Sequence, residues 1–309
     1  MGHDHSHNHN DHAHQHGPAN YNMAFAVGIT LNLGFVFIES FYGYLSHSLA
    51  LMADAGHNLS DVLGLLLAWG ATYLATKKPS KKYTYGFRSS SILAALANAI
   101  FLLVAVGGIA WEAIHRFNNQ EQVGTSTVMV VAGIGILING FTAFLFMSGR
   151  KKDLNLKGAY LHMLSDALVS VGVVIAGLII SLTGLNWIDP LVSLIIAVII
   201  IAGTWGLLRD SVQLALNAVP ENINQEKVML YLKELPLVSE VHDLHIWAMS
   251  TTETALTAHI IIKSGHPGDL FLKKLRHELE HDFGIHHVTV QIEMGDANEK
   301  CEMAPDEVV

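Results

Sequence analysis

Two histidine–aspartate pairs stand out from an apolar background. The stretch ADAGHNLSD carries His57 and Asp61 four residues apart, and AYLHMLSD carries His162 and Asp166 at the same spacing. Four apart on a helix is about one turn, so each pair presents an imidazole and a carboxylate on one face. Two helices that each offer one nitrogen and one oxygen supply four ligands, in the number and mixture that a tetrahedral zinc-type ion prefers. One such pair can be a simple embedded hydrogen bond. Two pairs with few other charges around them point to a cation site, because charge in lipid is costly and marks function. Asp54 lies near His57, but Ala159 stands at the matching place in the second pair, so Asp54 reads as a supporting polar group.

The elements that must hold these residues are long apolar helices. The 309-residue chain is 51% hydrophobic and 15% charged, with a mean hydropathy of +0.37. That is too apolar for an ordinary soluble enzyme of this length and fits a polytopic membrane protein. Six segments, near 21–44, 49–76, 89–114, 125–148, 158–182 and 188–208, are long enough to cross a bilayer. Lys77, Lys78, Lys81, Lys82 and Arg88 follow the second, and Arg150, Lys151, Lys152 and Lys157 follow the fourth. The opposite connections are poor in Lys and Arg, Arg116 excepted, so both termini are expected in the cytosol, in a bacterial inner (plasma) membrane. Within the spans, Glu39, Asn139 and Asp189 read as interhelical hydrogen-bonding or capping groups. Gly133, Gly135, Gly140, Gly172 and Gly177 read as close-packing points.

The flanks differ from this middle. Residues 1–20 form a tail in which His3, His5, His7, His9, His12, His14 and His16 alternate with small polar residues and Asp. It has no apolar run for a core or a secretion signal. It reads as a flexible metal-collecting segment, ahead of a cloning tag or an inert solvated tail. Residues 21–210 hold the helices, 211–296 a small soluble domain and 297–309 an acidic tail. Residues 219–309 carry 7 Lys+Arg against 16 Asp+Glu, whereas residues 1–218 carry 11 of each. This balance argues against nucleic acid as a partner and suits a domain that meets cations. Periodicity in the soluble part gives the order αββαβ, expected as a two-layer α+β unit with an antiparallel sheet of ferredoxin-like type. Eight histidines fall there, enough to favour a metal site. The lone Cys301 excludes an internal disulfide framework and a four-cysteine zinc site.

Taken together, HNLSD and HMLSD, the six spans, WIDP at the start of the sixth, and VHDLHIWAM downstream resemble the cation diffusion facilitator family, close to its zinc-transporting branch. The resemblance implies a homodimer in the lipid bilayer that exchanges a divalent metal for protons. Its transport ligands would be His57, Asp61, His162 and Asp166. In the cytoplasmic domain the resemblance points to His259, His286 and Glu293, with His242 a further candidate and the N-terminal histidines able to complete a site for Zn2+. Strand parity sets a condition: His286 and Glu293 are seven apart and face opposite ways in a continuous strand, so one must lie beyond its regular part. The sequence departs from the family at Ser89 and Ser91 in YGFRSSSILAAL, where relatives commonly carry an arginine and a glutamate. It also departs in the short link SGRKKDLN, where relatives often place histidines.

Zinc needs neutral imidazoles and ionised carboxylates, so metal and protons compete for one set of groups. An ordinary imidazole titrates near pH ~6.5, within reach of physiological exchange. Four protein ligands leave no open position for an activated water, and no HExxH or GxxxxGK[ST] stretch is present, so neither a metalloprotease nor an ATP motor is expected. A membrane-bound metal sensor, or transport of cadmium, cobalt, nickel, iron or manganese, are the alternatives to a zinc transporter.

Overall fold

The computed structural model describes residues 22–147, 154–295 and 301. The His-rich tail, most of the acidic tail and residues 148–153 of the SGRKKDLN link lie outside them. Six long helices come first: α1 (Asn22–Leu45), α2 (Leu49–Ala75), α3 (Ser90–Asn118), α4 (Thr125–Met147), α5 (Leu154–Thr183) and α6 (Ile188–Ala215). By length and composition, Ser90–Asn118, Thr125–Met147, Tyr160–Thr183 and Ile188–Ala215 suffice to cross a membrane. Helix α2 spends part of its length on Asp54, His57 and Asp61. The bundle core joins Phe35, Leu51, Leu102, Val106, Val131, Val173 and Ile196. Phe37, Val104, Leu137, Phe144 and Val198 point outward, the arrangement expected where the outer solvent is lipid.

The start of α2 is fixed from another helix. Ser48 Oγ accepts from the Leu51 amide at 3.2 Å and donates to Asp189 Oδ1 at 2.6 Å, while Asp189 Oδ2 accepts from the Leu49 amide at 2.7 Å. These are orphan donors of a helix N-terminus, satisfied by a carboxylate on the facing helix α6. Asp189 therefore caps α2 rather than its own helix, and it fixes the helix that carries His57 and Asp61. Asp189→Ala is expected to destabilise the protein by about 3 kcal/mol, because buried donors lose their acceptor. Thermal unfolding in detergent micelles measures this; a melting point unchanged from wild type excludes the cap.

The glycines divide in two. A Cβ on Gly135 would meet the Phe35 ring at 2.7 Å and Ser170 Oγ at 3.1 Å, and one on Gly177 would meet Met129 Cγ at 2.9 Å. These are close-packing points. Gly133, Gly140 and Gly172 have nothing within 4 Å of that position and are not. Gly135→Ala is therefore expected to cost about 1–3 kcal/mol through overpacking. Gly133→Ala should be neutral or slightly stabilising through helix propensity. Paired melting curves would separate the two, and equal shifts would refute the distinction. Asn139, buried in α4, has no hydrogen-bond partner on either amide atom among the described residues, so the interhelical bond expected of it is not made.

After α6 come α7 (Gln225–Glu234), β1 (Glu240–Ala248), β2 (Thr254–Ile261), α8 (Asp269–Phe283) and β3 (His287–Glu293). The order is the expected αββαβ, but the sheet is mixed rather than antiparallel. Strand β2 is central, antiparallel to β1 and parallel to β3. The reason is α8: a helical crossover returns the chain to the same end of the sheet, so the strand that follows runs parallel. Val228, Leu232, Leu256, Ile260, Leu275 and Leu279 fill the core between the sheet and its helices.

Candidate metal centres

The first centre lies between α2 and α5. His57 Nε2 is 3.8 Å from Asp61 Oδ2 and 3.4 Å from Asp166 Oδ1; His162 Nε2 is 3.2 Å from Asp61 Oδ2 and 3.7 Å from Asp166 Oδ2. An ion with ligand bonds of about 2.0–2.1 Å in tetrahedral array sets its ligand atoms roughly 3.3 Å apart. Each of the four nitrogen–oxygen separations falls within about half an ångström of that spacing, but Asp166 meets His57 through Oδ1 and His162 through Oδ2. Among the described residues, His57, Asp61 and His162 are the ones here whose ligand atoms all lie within 4.8 Å of one another. Each carboxylate touches both imidazoles, so the pairs that are local in sequence are interleaved across two helices. Without an ion, the same geometry leaves two acids and two imidazoles in mutual attraction. The two helices are also tied one turn away, where Ser170 Oγ donates to Asp54 Oδ2 at 2.9 Å. Asp54 is thus a support, and Asn58 Nδ2 donates to Glu39 Oε2 at 3.1 Å to bring α1 into the same buried polar layer.

Exposure across this centre is graded. The side chains of His162 and Asp61 are 40% and 34% exposed, those of His57 and Asp166 22% and 2%. Asp61 follows His57 along α2 and His162 precedes Asp166 along α5, so the more open pair faces the end of the bundle where α2 finishes and α5 begins.

The second cluster is on the sheet. His242 and His259 are register partners on β1 and β2, and Glu293 on β3 lies two residues beyond the partner of His259, hence on the same face. His242 Nε2 is 3.5 Å from Glu293 Oε2, and His259 Nδ1 is 2.9 Å from Glu293 Oε1. Cys301 Sγ reaches to 3.6 Å from His259 Nδ1. A zinc–sulfur bond of about 2.3 Å puts sulfur and nitrogen ligands roughly 3.6 Å apart. One ligand atom from each of His242, His259, Glu293 and Cys301 lies within 4.8 Å of all the others. His242 is 4% exposed, and both its ring nitrogens lack a hydrogen bond among the described residues. A buried imidazole left in this state fits a site that an ion completes.

His286 does not join this cluster. It precedes β3, its amide donates to the Thr254 carbonyl at 3.0 Å, and its Nδ1 accepts from the Thr254 amide at 3.3 Å. Parity is the cause: Glu293 is on the regular strand and on the cluster face, so the residue seven before it is turned away. Its place is taken by Cys301, which the sequence reading did not include, since a lone cysteine outside any strand or helix gives no periodic signal.

The family description "cation efflux transmembrane domain" matches residues 25–214, and "cation efflux protein, cytoplasmic domain" matches residues 220–294. The chain belongs to the cation efflux family. It is 38% identical over 265 residues to the cadmium, cobalt and zinc/H(+)-K(+) antiporter of Bacillus subtilis (strain 168), covering 84% of this chain and 85% of that protein. It is 37% identical over 262 residues to zinc transporter ZitB of Escherichia coli (strain K12), covering 84% and 83%. With the metal cation efflux system protein CzcD of Cupriavidus metallidurans the identity is 35% over 271 residues, covering 87% and 84%.

In this cation efflux protein the start of α3 is where the helices meet the cytoplasmic domain. Arg88 Nη1 donates to Glu253 Oε2 at 2.7 Å, Ser89 Oγ donates to the Met249 carbonyl at 3.2 Å, and the Thr251 amide donates to Ser91 Oγ at 3.1 Å. Ser89 and Ser91, which stand where the family resemblance leads one to expect an arginine and a glutamate, thus both contact the β1–β2 turn. Tyr85 adds an edge-on ring contact with His287, with centroids 5.5 Å apart.

Proposed function

We propose that the protein exports a divalent metal, zinc first among candidates, from the cytosol in exchange for protons by alternating access. One observation carries the reading: two imidazoles and two carboxylates from α2 and α5 converge inside an apolar bundle, with ligand atoms of His57, Asp61 and His162 all within 4.8 Å of one another and Asp166 against both imidazoles. Relatives named as zinc transporters and as a cadmium, cobalt and zinc antiporter support it. In this reading all six long helices cross the bilayer and both termini lie in the cytosol. The α+β domain is ferredoxin-like and joins two chains in a homodimer. The graded exposure of the centre fits an inward-facing state, because the open pair lies toward the end of the bundle that meets the cytoplasmic domain. Zinc enters when the imidazoles are neutral; protons arriving from outside then displace it and return inward. His242, His259, Glu293 and Cys301 hold a second ion, which is retained rather than carried.

The test is zinc-dependent proton flux in liposomes that contain the purified protein and an imposed pH gradient. Counter-movement of zinc and protons is the expected result. Zinc binding with no movement of either would overturn transport in favour of a metal sensor.

A further inference from the structure

The two ring nitrogens of His259 face different groups. Nδ1 faces the cytoplasmic cluster, 2.9 Å from Glu293 and 3.6 Å from Cys301; Nε2 faces Asp243 Oδ2 at 3.4 Å. The other oxygen of Asp243 is 2.7 Å from His245 Nε2. None of this is regular strand geometry. His242 pairs with His259, yet His245, three residues on, pairs with Thr257, only two residues back, so β1 carries one extra residue between them. That bulge places His245 on the face of His242, where an unbroken strand would set it on the other. Asp243 takes the strain, with φ at 50°, a left-handed conformation that few residues besides glycine, asparagine and aspartate accept.

We infer that Asp243 is a positioning residue for the cytoplasmic cluster: its carboxylate accepts a hydrogen bond from the Nε2–H of His259, which keeps the proton on Nε2 and directs the Nδ1 lone pair at the ion. A neutral imidazole has one N–H, and the acceptor beside it decides which nitrogen keeps the proton. His245 holds the carboxylate from its other side. The transport centre lacks this bracing at His57, whose buried Nδ1 has no hydrogen-bond partner among the described residues. The difference matches the roles: the carried ion must leave, whereas the cytoplasmic ion is held. The inference rests on the reading that the cytoplasmic cluster takes a divalent ion, and the experiment keeps the two apart.

Because the chain has 1 cysteine, a thiolate-to-cobalt charge-transfer band in full-length protein reports the cytoplasmic cluster alone, whatever binds at the transport centre or the His-rich tail. Cobalt is titrated into wild type, Asp243→Gly and Asp243→Asn in detergent micelles. Glycine and asparagine both accept the left-handed backbone, but only asparagine keeps an oxygen acceptor for Nε2–H. Asp243→Gly is expected to weaken cobalt binding by about 10–100-fold, and Asp243→Asn to recover at least half of that loss on a logarithmic scale. Wild-type affinity in Asp243→Gly would overturn the positioning role, as would equal loss in both variants. No charge-transfer band in wild type would remove the four-ligand cluster beneath the inference.

Discussion

Asp61→Ala and Asp166→Ala are each expected to lower metal-driven proton movement in liposomes by about 100-fold or more. Each carboxylate meets both imidazoles, so either substitution removes two of the four nitrogen–oxygen edges of the centre. Three ligands remain in each case, and a cation inside an apolar bundle with one position unfilled is poorly compensated for its lost water. The fold should survive. Asp166 is 1% exposed, and removing a buried acid from an apolar surround relieves a desolvation cost that the absent ion no longer offsets. Size-exclusion and thermal unfolding of the variants accompany the flux measurement. Normal flux in either folded variant would make the paired motifs structural and place the pathway elsewhere.

His242→Ala and Cys301→Ser are each expected to lower metal affinity at the cytoplasmic cluster by about 100-fold, since each removes one of the four proposed ligands. The cobalt charge-transfer band should be absent altogether in Cys301→Ser. Wild-type affinity also falls with acidity. Imidazole and thiol ligands must shed protons before they bind, and each proton displaced contributes up to about a tenfold loss of affinity per pH unit as pH falls below the titration of its group. A titration series from pH 8 to about pH 6 therefore shows weaker binding at the acid end. A pH-independent affinity, or an unaltered band in Cys301→Ser, would rule out this ligand set. His286→Ala is the contrast: it loses a bond to Thr254 and leaves metal affinity unchanged.

The junction between the parts ties the sheet directly to the start of α3. Glu253 immediately precedes β2, the strand that opens at Thr254 and carries His259, and Glu253 is bonded to Arg88 at the foot of α3. The ion pair itself is partly exposed, so its worth lies in register more than in stability.

The sequence by itself singled out the residues of the candidate centre between α2 and α5. His-x-x-x-Asp on a helix is a local statement: the repeat of 3.6 residues puts both groups on one face whatever surrounds them, and the cost of charge in lipid says they are there for use. It also determined the order of helices and strands, because apolar periodicity is a local property of the chain. What joins residues distant in sequence was decided only by the tertiary structure. The interleaving of Asp61 with His162 and of Asp166 with His57 depends on how α2 meets α5. Asp189 was legible as a cap, but not as the cap of α2, because the orphan amides it satisfies lie about 140 residues away. The parallel pairing of β3 follows from the crossover through α8. One extra residue in β1 reverses the parity on which any sequence reading of His245 and Asp243 depends. Cys301 reaches its partners from outside every regular element, and no periodicity announces where such a residue returns.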